Sequence, residues 1–345
     1  MTLPAFVGAS CDVVSVTESP ICFDRPRRMR CGRCHHEWHV TAEWLEQFDQ
    51  ALEGCPVCGT DCRSEGRPDF CAEPESRWHD DTAVRESYWY HSSTRENWPD
   101  KNFNPAADFT VATKRRFEAM GLNVEDWAAR QKSKAIHVGT YEAAIENMLR
   151  RLDQRGALDQ FYLYRVQLTS DCVIEPGVHP EPTDWVGNAY LAEVVTSGST
   201  VLRYVNVHED PSSVSLALEP VAIRAVQSIR IPLTVDAGDP WVLDATARLV
   251  RASSEPPPQP ADVRQLWRYQ QMSALESEVR RLESEIAAEL PARLRRRFNT
   301  GFNDAGFEAA APAAFPIKLV GLAHLITDAQ SVLQALGLEP WRNVS

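Results

Sequence analysis

No stretch of this 345-residue chain approaches the roughly 18 uncharged apolar residues that a membrane-crossing helix needs. Membrane insertion is therefore not expected. Residues Met1 to Ser10 carry no basic cluster ahead of their short apolar stretch, so no secretory leader is read there and a cytoplasmic location is expected. A surplus of basic charge is also missing. The formal net charge is −12, with 8 basic and 14 acidic residues in 1–80, 17 and 23 in 81–250, and 11 of each in 251–345. That balance excludes nucleic-acid binding over the whole surface and leaves only local contact. The local candidate is Arg25, Arg27, Arg28, Arg30 and Arg33, read first as a solvated basic loop. No GxGxxG, phosphate-cradling P-loop, GxSxG elbow or HExxH appears, and no internal repeat is visible.

What is present is cysteine, and it is concentrated. Eight of nine cysteines fall between positions 11 and 71, and four form Cys31-x2-Cys34 and Cys55-x2-Cys58. Each CxxC turn aims two thiolates at one tetrahedral ion while the intervening segment returns, so the spacing predicts one structural zinc on Cys31, Cys34, Cys55 and Cys58. Disulfides would need a secreted context. His35, His36, His39, Cys62 and Cys71 are not required by a four-thiolate site, and such a closed site organises folding rather than catalysis.

The composition, 43% apolar and 24% charged, is that of a folded protein of two or three domains. Residues 1–80 are assigned to a zinc-ribbon module, with Thr41 capping a helix through Trp44, Leu45, Phe48 and Leu52 and a polar linker over 63–81. Residues 81–255 form an α+β domain. Its strands are expected at 85–93, 134–138, 161–168, 189–196, within 201–218 (Val201 to Val207 and Val214 to Leu218) and at 223–232, packed as two sheets around a cleft, with helical material at 110–130 and a helix from Tyr141 to about Gln154 capped by Thr140. Residues 256–345 begin with a stiff Pro-rich linker at 256–260. They continue with a heptad-like helix over 270–292 (Met272, Leu275, Val279, Leu282, Ile286, Leu290), which either forms the seam of a homodimer or packs on its own domain.

Three segments of the central block come in an informative order: Tyr90-His91-Ser92-Ser93, then His137-Val138-Gly139-Thr140-Tyr141-Glu142-Ala143-Ala144, then Tyr204-Val205-Asn206-Val207-His208-Glu209-Asp210. Over about residues 85–235 the sequence resembles the ADP-ribosyltransferase superfamily, the split-sheet domain shared by mono-ADP-ribosylating toxins and poly-ADP-ribose polymerases. The resemblance implies a split β-sheet fold and NAD as substrate. It places His91 and Ser92 on the ribose and nicotinamide, Thr140 and Tyr141 at the nicotinamide pocket, and Glu209 on a late strand as catalytic carboxylate. The usual aromatic of the second strand is replaced by His137, and Glu193 is the competing acid.

A carboxylate beside the ribose 2′-hydroxyl would stabilise the positive charge that builds when the nicotinamide–ribose bond breaks. The implied function is an NAD-dependent ADP-ribosyltransferase or NAD glycohydrolase whose acceptor, protein or nucleic acid, is not specified by the sequence. Each residue also has a structural alternative: His91 and His137 as hydrogen-bonded structural histidines, Glu209 as part of a solvated turn, Tyr90 and Tyr141 as core aromatics. The competing function is a non-enzymatic adaptor whose ribbon binds nucleic acid or protein through Arg27 to Arg33. Placement of His91, Thr140 and Glu209 in one cleft would favour the enzyme.

Overall fold

The computed structural model describes residues 18–100, 102–107, 109–155, 160–182, 189–196, 198–255, 273–300 and 311–344. The N-terminal module is built from β1 (Arg27–Cys31), β2 (Glu37–Val40), α1 (Ala42–Asp49) and β3 (Pro68–Phe70), with sheet order β2-β1-β3 and both pairings antiparallel. Thr41 caps α1, accepting from the Trp44 amide at 3.4 Å, as the sequence predicts. A small core of Met29, Val40 and Phe48 is roofed by Trp38, Trp44 and Leu45. The polar segment 63–81, expected as a linker, contributes β3. A three-residue strand is too short to show a period, and its Pro68 is tolerated because β3 lies at the sheet edge.

A 3-10 turn (Arg77–His79) and α2 (Asp81–Arg85), capped by Asp80, lead to β4 (Trp89–Ser93). The strand expected over 85–93 is therefore confined to its second half. Next come α3 (Val111–Ala119), α4 (Val124–Lys132), β5 (Ile136–Val138), α5 (Tyr141–Arg155) and β6 (Phe161–Leu168). They are followed by α6 (Leu191–Val194), β7 (Val201–Val205), β8 (Val214–Leu218) and β9 (Ile223–Ile231). The segment 189–196 is thus a helical turn, correcting the expected strand. Only Leu191 of that turn is buried, and a short apolar run does not distinguish helix from strand by periodicity. The two strands expected within 201–218, Val201 to Val207 and Val214 to Leu218, are β7 and β8 of a hairpin, joined by a turn at 206–213.

These strands form two antiparallel sheets. One has the order β10-β9-β6-β4, where β10 is Arg342–Asn343, and the other β5-β8-β7. β6 and β9 read FYLYRVQL and IRAVQSIRI, and both are largely buried, as central strands should be. The sheets meet where Tyr90 and Gly139 exchange both backbone hydrogen bonds, at 2.8 and 2.9 Å, beside β4 and β5. Gly139 is required there: a Cβ would come within 2.8 Å of Ser215 Oγ and 2.9 Å of Ala143 Cβ, so α5 could not start so close to β8.

Helices α7 (Pro240–Ser253), α8 (Ala274–Ala288), α9 (Ala292–Thr300), α10 (Ala314–Thr327) and α11 (Ala329–Leu338) complete the fold. Leu282, Ile286 and Leu290 of the heptad-like series are buried in one cluster with Leu149 of α5, Leu163 of β6, Ile231 of β9, Leu249, Phe315 and Leu333. The apolar face of α8 is therefore packed on its own chain, and the helices after residue 273 share a core with the central sheet. The Pro-rich stretch 256–260 and Met272 lie outside the described residues. Among the described residues no single helix is long and apolar enough to cross a membrane; α10 and α11 are apolar together but bent by 94°, and most of their apolar side chains are buried.

Candidate functional site

The module at the N-terminus brings four thiols together. Sγ of Cys31 lies 3.6 Å from that of Cys58, Cys34 lies 3.5 Å from Cys55, and all four sulfurs fall within 4.8 Å of one another. A tetrahedral ion with sulfur ligands at about 2.3 Å needs sulfur–sulfur edges of roughly 3.8 Å, so the donor set and its size suit one such ion.

Two equivalent turns hold the thiols. In the first, the Cys31 amide donates to the His36 carbonyl and the His35 amide to the Cys31 carbonyl; in the second, Cys55 and Gly59 donate to Thr60 and Cys55 in the same pattern. Both turns put their fifth residue in the left-handed region, His35 at φ 59° and Gly59 at φ 70°. The Thr60 hydroxyl and amide, acting on the thiolate, bring Cys58 down to about 6. Cys62, Cys71 and the three histidines are not members of the cluster. His39 pairs with Glu73 at 2.8 Å, and burial pushes Cys71 up to about 11.

The second site lies where the two sheets separate. Asn206 closes β7 as a turn: its Oδ1 accepts from the amides of His208 (3.0 Å) and Glu209 (2.9 Å), which ends the ladder. Glu209 therefore sits in the turn between β7 and β8, not on a strand as expected. Its Oε1 accepts from Asn147 Nδ2 and Arg150 Nη2 of α5, each at 3.0 Å, and Oε2 has no hydrogen-bond partner among the described residues. Asn147 Oδ1 in turn accepts from Ser92 Oγ at 3.4 Å. Ser92, Asn147, Glu209 and Arg150 thus form one polar chain across β4, α5 and the β7–β8 turn.

Two histidines flank this chain. Burial pushes His91 down to about 3, against the pull of the His137 carbonyl, so the ring is neutral and its Nδ1–H donates to that carbonyl at 2.8 Å. It also stacks on Trp98, with ring centroids 4.0 Å apart. His137 is lowered by burial too, with the Glu209 charge opposing the shift, and its Nδ1 lies 3.0 Å from the Tyr204 hydroxyl. Burial, followed by the charges of Glu181 and Glu209, raises Tyr204 well above its ordinary value. The Tyr204 hydroxyl and His137 Nδ1 share one hydrogen bond, and the buried Nε2 of His137 has no hydrogen-bond partner among the described residues.

The other expected residues divide. Thr140 caps the start of α5, accepting from the Ala143 amide, and donates to Asp210 Oδ2 at 2.9 Å, one residue from Glu209. Tyr141 lies away from the polar chain: its hydroxyl donates to the Leu325 carbonyl at 2.8 Å and its ring packs edge-on to Phe23 and Tyr90. Glu193 is exposed on α6 and makes no contact with the chain.

Asn147, Arg150 and Asp210 were not singled out by sequence. The signal available was the i, i+3 spacing of Asn147 and Arg150 on a helix whose buried positions are apolar apart from Glu142 and Glu146. Of the five arginines offered to nucleic acid, Arg25 and Arg27 reach Asp210 at 3.0 Å, Arg28 and Arg30 pair with Glu37, and Arg33 is exposed. A shallow surface depression lined by Asn97, Pro99, Asp100, Asn102, Arg342 and Asn343 shares no residue with the Glu209 chain. No protein-family profile, curated protein or solved structure matches this chain.

Proposed function

We propose that the chain cleaves NAD at the junction of the two sheets, as an ADP-ribosyltransferase or NAD glycohydrolase, and that the four-cysteine module holds a structural zinc. One observation carries the first part: Ser92 of the first resembling segment and Glu209 of the third, 117 positions apart, are joined in a single hydrogen-bonded chain through Asn147, with Arg150, of the helix that the second segment opens. The shared geometry and size of the four thiols carry the second.

The roles follow from the chemistry. The C–N bond between ribose and nicotinamide breaks with its electron pair leaving on neutral nicotinamide, and positive charge builds on the ribose. Glu209, held through Oε1 with Oε2 turned to other work, stabilises that charge, and the acceptor then attacks the anomeric carbon as it gives up a proton. The neutral, fixed His91 is assigned to the ribose side, Ser92 holds Asn147 behind the acid, and His137 Nε2 is a buried nitrogen with no hydrogen-bond partner among the described residues. Thr140 acts one step back, on Asp210.

The test is nicotinamide release from NAD by the purified chain and by Glu209→Gln. The wild type releases nicotinamide, and the variant, equal in size but uncharged, loses about a hundredfold or more in turnover with NAD affinity little changed. Release at the same rate by both would remove Glu209 from the role. No release by the wild type, with or without a cell extract to supply an acceptor, would remove the enzymatic reading in favour of an adaptor.

A further inference from the structure

Glu209 lies in a turn whose next three residues are each held from outside it. Asp210 is 1% exposed, and its Oδ1 receives Arg25 Nη2 and Arg27 Nη2, each at 3.0 Å, while Thr140 holds Oδ2. Pro211 gives its carbonyl to Arg25 at 3.1 Å. Ser212 is a non-glycine residue in the left-handed region, φ 66°, and its hydroxyl is closed in a two-way clasp with one residue: it accepts from the Arg28 amide at 3.0 Å and donates to the Arg28 carbonyl at 2.8 Å. Three consecutive turn residues are thus each held by the segment 25–28.

That segment is the start of β1, and β1 ends at Cys31. From Arg27 to Cys31 is four residues of extended backbone, about 13 Å, locked between β2 and β3. The same strand therefore carries the first thiol at one end and the clamp on the turn at the other. Arg27 is 2% exposed and also donates to the carbonyls of Arg25 and Phe23, so it has no solvated position to retreat to while the module stays docked.

We propose that Arg25, Arg27 and Arg28 are positioning residues for Glu209, so that docking of the metal-organised module sets the geometry of the acid. The proposal rests on the reading of Glu209 as the working carboxylate. Asp210 contributes nothing to the reaction directly; it is the handle by which the module holds the turn. Coupling of this kind is reciprocal, so loosening the turn must also loosen the module's hold on its metal.

Hydrogen exchange of the full chain, read by mass spectrometry, tests the coupling without NAD. In Asp210→Asn, and in Ser212→Ala as the milder variant, amides over 206–213 and over 25–31 are expected to exchange at least tenfold faster, while β6 and β9 stay as in the wild type. Zinc transfer from either variant to a chromophoric chelator is expected to be severalfold faster. In parallel, nicotinamide release by Asp210→Asn, scaled to the folded fraction measured on the same sample, is expected to fall about tenfold in kcat with KM within about twofold. Unchanged exchange over 25–31 and unchanged zinc transfer in both variants would overturn the coupling. A wild type that exchanges as described yet releases no nicotinamide would leave the coupling intact and remove the catalytic reading.

Discussion

Both terminal nitrogens of Arg293 donate to the main-chain carbonyl of Glu209, each at 3.1 Å. A residue of α9 therefore holds the backbone of the acid while α5 holds its side chain. Arg293 also pairs with Glu146, whose side chain is fully buried. Arg293→Met should cost about 3 kcal/mol in chemical denaturation, because it removes the guanidinium that pairs with the buried Glu146 carboxylate. The double variant Arg293→Met, Glu146→Gln should recover a large part of that loss; equal loss in single and double variants would show that the pair's electrostatics do not matter.

His35 does in the first thiol turn what Gly59 does in the second, at the same backbone conformation but with a side chain. His35→Gly should therefore stabilise the module by about 0.5 kcal/mol, the relief of left-handed strain exceeding the extra entropy of glycine in the unfolded chain. The check is the denaturation midpoint of the module at saturating zinc. A drop would mean that the exposed imidazole makes a contribution larger than the strain.

One zinc per chain should be lost from Cys31→Ser, Cys34→Ser, Cys55→Ser or Cys58→Ser, and retained by Cys62→Ser and Cys71→Ser, as measured by elemental analysis of reduced protein. Stripping the metal should melt the β1–β2–β3 sheet, whose core is only Met29, Val40 and Phe48 with their aromatic roof.

Glu283 is 2% exposed on α8, and burial pushes its carboxyl up to about 7, with the Arg280 charge partly opposing. The folded state therefore binds a proton that the unfolded state, titrating near 4.5, has already lost. Its stabilising effect is complete below pH 4.5 and fades as the pH rises to 7, by about 1–2 kcal/mol once solvent screening is allowed for. Glu283→Gln should flatten that fall. Denaturation at pH 5 and pH 8 measures it: the two proteins should differ more at pH 8, with the variant the more stable.

What could be read from the chain was what is local in it. The CxxC pairs, the Thr41 and Thr140 caps and the long strands β6 and β9 each carry their signal within ten residues or so, and each is found in place. The turn at Glu209 was also written locally, in Asn206 and Asp210-Pro211, but the β-branched residues before it drew the strand reading onward. Tyr141 shows a different limit. The first residue of a helix that follows a strand can face sheet or solvent, and only the docking of α10 with its Leu325 carbonyl decides. The partners of Asp210 lie as far as 185 positions away, and no period or spacing announces them.

The core that α8 to α11 share with the central sheet also fixes an order of events in the cell. Glu209 leaves the ribosome well before Arg293, and the strand pair that finishes the larger sheet needs Arg342 and Asn343 against β9. A nascent chain that already contains the whole Glu209 turn still lacks the helix that grips its backbone and the strand that closes its sheet.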